Sequence, residues 1–248
     1  MTVHFVGAGP GAADLLTLRA SRLLAATDVC LYPGTYIDAD ILGHCGDDTE
    51  LIDTQGLNLD QIIDHIAGAH RAGRDVVRLC SGDPSVYSAL FEQTRRLDAA
   101  GIGWDVTPGI AAYTAAAADI GAELTVPEVA QSVVLTRVQA RSTKMPAGET
   151  LAAFAETGAT LVLHLAITRI TEIAGELTRY YGNDCPVVVA ARVSQPTQIV
   201  LRGTLGDIAD QVTQAGIRQA AVIMVGPALS ADPAGGAESF LYDARRQR

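Results

Sequence analysis

The run 76-VVRLCSGDPSVYSALFEQ-93 opens as a strand and closes as a helix, with Ser81-Gly82-Asp83-Pro84 between them. Val76 to Leu79, polar only at Arg78, suits a strand covered on both faces, so the chain leaves a sheet at Cys80 or Ser81. Gly82 permits a close backbone approach. Asp83 is expected to cap a helix over residues 84–100 whose first turn holds Pro84, since its side-chain oxygen accepts a free N–H and Pro at that position sacrifices no hydrogen bond. A strand-to-helix turn at the carboxyl edge of a parallel sheet is also where such folds bind small ligands, and a capped turn is a rigid one.

Outward from this stretch, apolar runs alternate with helical patterns. Strands are expected near 3–7, 28–32, 76–80 and 104–107, and helices near 15–26, 59–72, 84–100 and 110–121. A second series follows, with strands near 132–137, 160–165, 186–193, 198–202 and 220–225 and helices near 149–157, 168–181 and 205–215. In it, 193-VSQPT-197 joins two strands with no helix between, so part of the second sheet runs antiparallel. The fold class is therefore α/β, with a mainly parallel first sheet and a mixed second one. Domains are expected at 1–109 and 110–228, with an Ala/Gly/Pro/Ser-rich tail at 229–248.

A chain of 248 residues, 48% hydrophobic and 19% charged, buries a core without disulfides or metal. Its net charge of -10 argues against nucleic acid or an anionic membrane as partner, both of which select clustered Lys and Arg. Cys30, Cys45, Cys80 and Cys185 show no CxxC spacing, so neither zinc nor a disulfide framework is signalled and a reducing, cytoplasmic setting is expected. No stretch reaches 18 apolar residues and no signal-peptide pattern precedes Val3. His164 reads as a core histidine, and His65 and His70, five apart on a helix, do not align for one metal.

The opening 3-VHFVGAGPGAADLLTLRA-20 places Gly7, Gly9 and Ala12 on the G-x-G-x-x-(G/A) pattern of dinucleotide sites. The second strand should then end in an acidic residue about 20 positions on to hold a ribose. It ends instead in Leu31-Tyr32-Pro33-Gly34, and Pro10 removes an amide that a pyrophosphate would use. These glycines read as a tight loop where the strand end meets another backbone or a ligand.

Three segments taken together, 6-VGAGPGAADLLTLRA-20, 78-RLCSGDPSVYSAL-90 and 106-VTPGIAAYTAAAADIGAEL-124, resemble the tetrapyrrole methylases, S-adenosylmethionine-dependent enzymes of corrin and sirohaem synthesis. Within that family, 124-LTVPEVAQSVVLTRVQARSTKMP-146 and the ending 239-SFLYDARRQR-248 resemble the branch that methylates C11 of precorrin-4 in cobalamin synthesis. The resemblance covers essentially the whole chain. It implies two α/β domains enclosing a cleft, with a folded S-adenosylmethionine between them and a small-molecule tetrapyrrole as acceptor. Relatives are commonly homodimers. It further implies cofactor contacts from Pro10, Ser81, Gly82, Asp83, Ala111 and Ala112 in the first domain, and from Leu165, Val193, Gly226 and Pro227 in the second. Many relatives carry a hydroxyl residue at Ala111 and a Met near Leu165, so here those contacts reduce to backbone or apolar ones.

Methyl transfer from a sulfonium needs neither a covalent nucleophile nor a metal, and no His or carboxylate declares itself as the base for the departing proton. Arg137 and Arg141, with Lys144 nearby, form the densest basic region before the tail and suit the carboxylates of the acceptor through forked donor geometry, though surface solubility explains them as well. Tyr87, one turn into the expected helix, either reaches the cleft or packs. Tyr32, Thr35 and Tyr36 either line the acceptor trough or serve as turn residues. Two other readings remain: a superfamily member acting on ribosomal RNA or on a protein, and a regulatory module that binds the cofactor without turnover.

Overall fold

The computed structural model describes residues 2–139 and 144–230. The chain divides into two compact units, Met1–Ala115 with Ser194–Pro196, and Ala116–Val193 with Thr197–Arg248.

The first unit is built on an all-parallel sheet of β1 (Val3–Gly7), β2 (Val29–Tyr32), β3 (Glu50–Asp53), β4 (Val76–Cys80) and β5 (Trp104–Thr107), in the order β3-β2-β4-β1-β5. Its strands alternate their side chains between two apolar layers. Val3, Phe5, Leu31, Val76 and Cys80 face α3 (Leu59–Arg71) and α4 (Leu90–Ala99), whose Ile66 and Leu97 are fully buried. Val6, Cys30, Val77 and Leu79 face α1 (Leu18–Ala26) and α2 (Ala39–Leu42), which supply Leu24 and Ile41. Thr17 caps α1 by accepting from the Ala20 N–H at 3.0 Å. Asn58 and Gln61 close a reciprocal capping box on α3.

Three features depart from the sequence expectation, the short α2 being an additional helix. β3 is an additional edge strand, too short and too exposed to show an apolar pattern. The helix expected over 84–100 spans only Leu90–Ala99, because residues 84–89 follow an irregular path. Pro84 is therefore not a first-turn proline. Tyr87 and Ala89 take left-handed φ values of 52° and 57°, and Ala89 precedes α4 with no side-chain cap.

The second unit carries the mixed sheet. β6 (Val133–Arg137) and β7 (Thr160–His164) pair in parallel, whereas β8 (Pro186–Ala191), β9 (Ile199–Thr204) and β10 (Ala221–Val225) join antiparallel, in the order β6-β7-β10-β8-β9. Numbered in chain order, α5 (Ala112–Asp119) carries the division between the units, and α6 (Leu151–Ala155), α7 (Ile170–Tyr181) and α8 (Ile208–Gln214) follow. One apolar cluster joins Leu161, Leu163, Val187, Val189 and Ile223 of the sheet to Ile173 and Leu177 of α7 and to Ile208 of α8. No helix among the described residues is long and apolar enough to cross a membrane.

Candidate functional site

In the first unit every candidate residue lies on or beyond the carboxyl edge of the parallel sheet. Four glycines bring the strand ends together. Gly9 and Gly82 exchange backbone hydrogen bonds, with the Gly82 N–H donating at 2.8 Å and the Gly9 N–H at 3.1 Å. Both have positive φ, 74° and 69°. A methyl group on Gly7 would come within 2.5 Å of Gly109 Cα, and one on Gly109 would overlap the Gly82 carbonyl oxygen and lie 2.8 Å from Gly7 Cα. The glycine-rich opening thus serves a backbone-on-backbone junction among the ends of β1, β4 and β5.

Asp83 locks that junction. Its Oδ2 accepts from the Gly109 N–H at 2.8 Å, and its Oδ1 accepts from the Ser85 N–H at 2.8 Å and from the Ser85 hydroxyl. Burial disfavours the carboxylate, yet the Ser85 hydroxyl and the Gly109 and Ser85 amides outweigh it and hold Asp83 below its ordinary pKa. Both oxygens are engaged within the turn, so Asp83 is a positioning group that ties the segment 81–83 to the one carrying Ala111 and Ala112. Gly82 lies against that second segment, since a Cβ there would sit in ordinary van der Waals contact, 3.9 Å from Ala111 Cα and from the Ala112 nitrogen. Pro10 follows directly on Gly9. Nearby, the Ala12 N–H donates to Ser194 Oγ at 2.9 Å. The structure therefore gathers Pro10, Ser81, Gly82, Asp83, Ala111 and Ala112 at one place.

The aromatic candidates share this edge. Tyr32 closes β2, Tyr36 sits in the 3-10 turn after it and is 49% exposed, and Tyr87 is 46% exposed on the irregular segment before α4. Tyr87 is thus a loop residue and not a helical one.

In the second unit the residues divide between the two ends of the sheet. Leu165 follows β7 and Val193 follows β8; at that same end lie Arg137, paired with His164 at the close of β6, and Ala220, whose carbonyl accepts from the Arg192 N–H at 2.8 Å. Leu165 is 67% exposed whereas Val193 is buried, so Val193 has only its backbone to offer. Gly226 and Pro227 lie at the opposite end, where the Gly226 N–H donates to Pro186 O, roughly 17 Å away by strand length. The structure does not bring them together with Leu165 and Val193. The reason is direction: β10 runs against β7 and β8, so its carboxyl terminus is at their amino ends.

At the Leu165 end three non-glycine residues, Leu165, Arg192 and Ala220, take φ of 53°, 48° and 51°. Such conformations cost about 1–3 kcal/mol each and persist where the surroundings impose them, commonly at functional sites. Composition offered no signal for Arg192 or Ala220, because neither is a residue type that favours positive φ. Burial lowers the pKa of His164, which favours its neutral form. Arg141 lies outside the described residues.

The model of the tetrapyrrole (corrin/porphyrin) methylases matches residues 2–209. The precorrin-4 C(11)-methyltransferase of Rhodococcus erythropolis is 53% identical over 248 residues, covering 100% of this chain and 99% of that protein. An X-ray structure of a cobalt precorrin-4 methyltransferase superposes with a TM-score of 0.89 at 34% identity, covering 92% of this chain and 96% of that one. The uroporphyrin-III C-methyltransferase of Thermus thermophilus, solved with S-adenosyl homocysteine, gives 0.77 at 28% identity, covering 92% and 99%. With its parallel first sheet, its mixed second sheet and these full-length likenesses, the chain belongs to the tetrapyrrole (corrin/porphyrin) methylase family.

Proposed function

We propose that this protein is the S-adenosylmethionine-dependent methyltransferase that acts on C11 of precorrin-4 in cobalamin biosynthesis. The observation that carries this reading is the full-length identity to the Rhodococcus protein of that name. Because that identity exceeds the one to the cobalt precorrin-4 enzyme, the metal-free acceptor is favoured.

The first-unit residues fit the cofactor. Gly82, Ala111 and Ala112 present backbone and Cβ atoms only, and Asp83 is already satisfied, so this edge suits a largely neutral group held by main-chain polar atoms and apolar contact. Pro10, Ser81, Gly82, Ala111 and Ala112 would supply those contacts, with Leu165 and the Val193 backbone offered by the second unit. When bound, S-adenosylmethionine supplies an electrophilic methyl group on a positively charged sulfur. The chain's part is positioning, which lowers barriers by about 7–11 kcal/mol in well-oriented systems. The Asp83 link and the glycine junction keep the two contact segments in fixed register, so no ordering remains to be done as the acceptor arrives. Tyr32, Tyr36, Tyr87 and Arg137 are the candidate acceptor contacts. The reading includes a cytoplasmic location and a homodimer, the second of which light scattering of the purified protein checks.

The test supplies the purified chain with S-adenosylmethionine and enzymatically prepared precorrin-4 and follows the product by mass spectrometry. A gain of one methyl group at C11 is expected. S-adenosylhomocysteine at 100 times its Kd should stabilise the fold by about 2.7 kcal/mol, whereas NAD, NADP and FAD should not. Methylation elsewhere on the ring, or stabilisation by a dinucleotide alone, overturns the assignment.

A further inference from the structure

Arg78 is the one charged residue of β4, and it points into the apolar layer shared by Val76, Cys80, α3 and α4. It is 8% exposed. Among the described residues the ion pairs are His4–Asp105, Arg74–Glu50, Arg96–Asp60 and Arg169–Glu172, so no carboxylate balances Arg78. Its partners are neutral. Nε donates to Gln93 Oε1 at 3.1 Å, and Nη1 donates to the Leu31 and Leu79 carbonyls at 3.4 and 3.3 Å. Burial presses its pKa down, offset in part by the neighbouring Cys80 and Cys30 thiols. An arginine nevertheless stays protonated, and a buried cation without a counter-anion is costly.

The position of the guanidinium suggests a use for that charge. Leu31 immediately precedes Tyr32, and Leu79 is the penultimate residue of β4, so the fork lies at the carboxyl edge between β2 and β4. The connections after β1 and β2 go to the α1/α2 face and the one after β4 goes to the α4 face. In such sheets ligands enter where neighbouring connections diverge. At the β1/β4 divergence the Gly9–Gly82 pair joins the two backbones, whereas the β2/β4 divergence holds the guanidinium. Gln93 aims it: its Nε2 donates to Ala89 O at 3.1 Å, which turns Oε1 toward Arg78 and ties the fork to the strained segment of Tyr87 and Ala89. Nη2 is the guanidinium nitrogen with no protein acceptor among the described residues.

We infer that Arg78 recognises an anionic group of the acceptor, a ring-borne carboxylate, through Nη2. This rests on the acceptor being a carboxylated tetrapyrrole, as proposed above. The carboxylate becomes the counter-anion that the fold lacks, and the site rejects an uncharged or cationic acceptor by the same electrostatics.

The test compares wild type, Arg78→Lys and Arg78→Met by fluorescence titration with uroporphyrin III, a polycarboxylate stand-in, and by calorimetric titration with S-adenosylhomocysteine. The expected result is uroporphyrin binding weakened at least about 10-fold in Arg78→Met and less in Arg78→Lys, which keeps charge but loses the fork. Affinity for S-adenosylhomocysteine should stay within about twofold, as measured in the same samples. Unchanged uroporphyrin affinity in either variant that still binds S-adenosylhomocysteine overturns the inference. So does parallel loss of both ligands, which marks a scaffold role. If Arg78→Met does not fold, Arg78→Lys alone decides by the same criteria. Wild type that binds S-adenosylhomocysteine but no uroporphyrin refutes the acceptor class, and the inference falls with it.

Discussion

The two sheets finish their strands by different means. At the carboxyl edge of the parallel sheet, close approach is achieved by removing side chains: Gly7, Gly82 and Gly109 put bare backbone against bare backbone. At the Leu165 end of the mixed sheet the chain bends through left-handed conformations at Leu165, Arg192 and Ala220, where no glycine relieves the strain. The first solution is mainly steric and tolerates no added atom at Gly7 or Gly109. The second is conformational and stores a modest energy that a substitution can release. The first unit's edge is therefore specified by what its residues lack, the second unit's by what its surroundings impose.

The sharpest way to break this comparison is Gly109→Ala. The added methyl meets the Gly82 carbonyl and Gly7 Cα, neither of which is a flexible side chain, so a loss of roughly 4 kcal/mol or more, or failure to fold, is expected in thermal or urea unfolding. Gly103→Ala meets nothing within 4 Å and serves as the control, expected within about 0.5 kcal/mol of wild type. Similar losses in both would remove the steric account.

Asp83 gives an effect of middle size. Asp83→Ala leaves the Gly109 and Ser85 amides without their acceptor and should cost about 1–3 kcal/mol, while weakening S-adenosylhomocysteine beyond the stability loss. Asp83→Asn keeps an acceptor and should cost less. Because the folded carboxyl titrates below its ordinary value, its contribution is present above about pH 4, the unfolded Asp value, and is lost as pH falls from there through the folded pKa. The stability gap between wild type and Asp83→Asn should therefore shrink below about pH 4. A gap independent of pH would show that the charge plays no part.

Leu165→Gly is the smallest and opposite case. Relief of the left-handed strain, about 1–3 kcal/mol, is offset by the greater freedom of Gly in the unfolded chain, about 0.4–1 kcal/mol. The exposed Leu165 side chain has little packing to lose. Unfolding should place the variant on the stable side of wild type, by between about 0 and 2.6 kcal/mol. A loss above 1 kcal/mol would mean that the conformation is not strained and that the two sheet ends do not differ as described.

Much of the scaffold was legible in the residues, because hydrophobic periodicity and glycine sterics act over a few positions. The alternation of strands and helices, the parallel first sheet, the mixed second sheet and the glycine turns all follow from such short-range rules. β3 escaped because a four-residue edge strand half open to solvent has no apolar pattern to show.

What only the tertiary structure decided were the partners of particular groups. Asp83-Pro84 is a sound helix start by local rules, and one carboxylate oxygen does accept from the Ser85 N–H, yet the chain passes through left-handed conformations at Tyr87 and Ala89 so that the helix begins at Leu90, while the other oxygen takes the Gly109 amide 26 residues on. The strand ending at Val225 looks like any other before Gly226-Pro227, but its antiparallel pairing turns that end away from Leu165 and leaves Ala220 there instead. Arg78 looked like a lone polar residue in a buried strand until the fold put Leu31, Leu79 and Gln93 around its guanidinium. In each case the local preference is worth about 1 kcal/mol, and the choice belongs to long-range pairing and burial, whose summed energy is far larger.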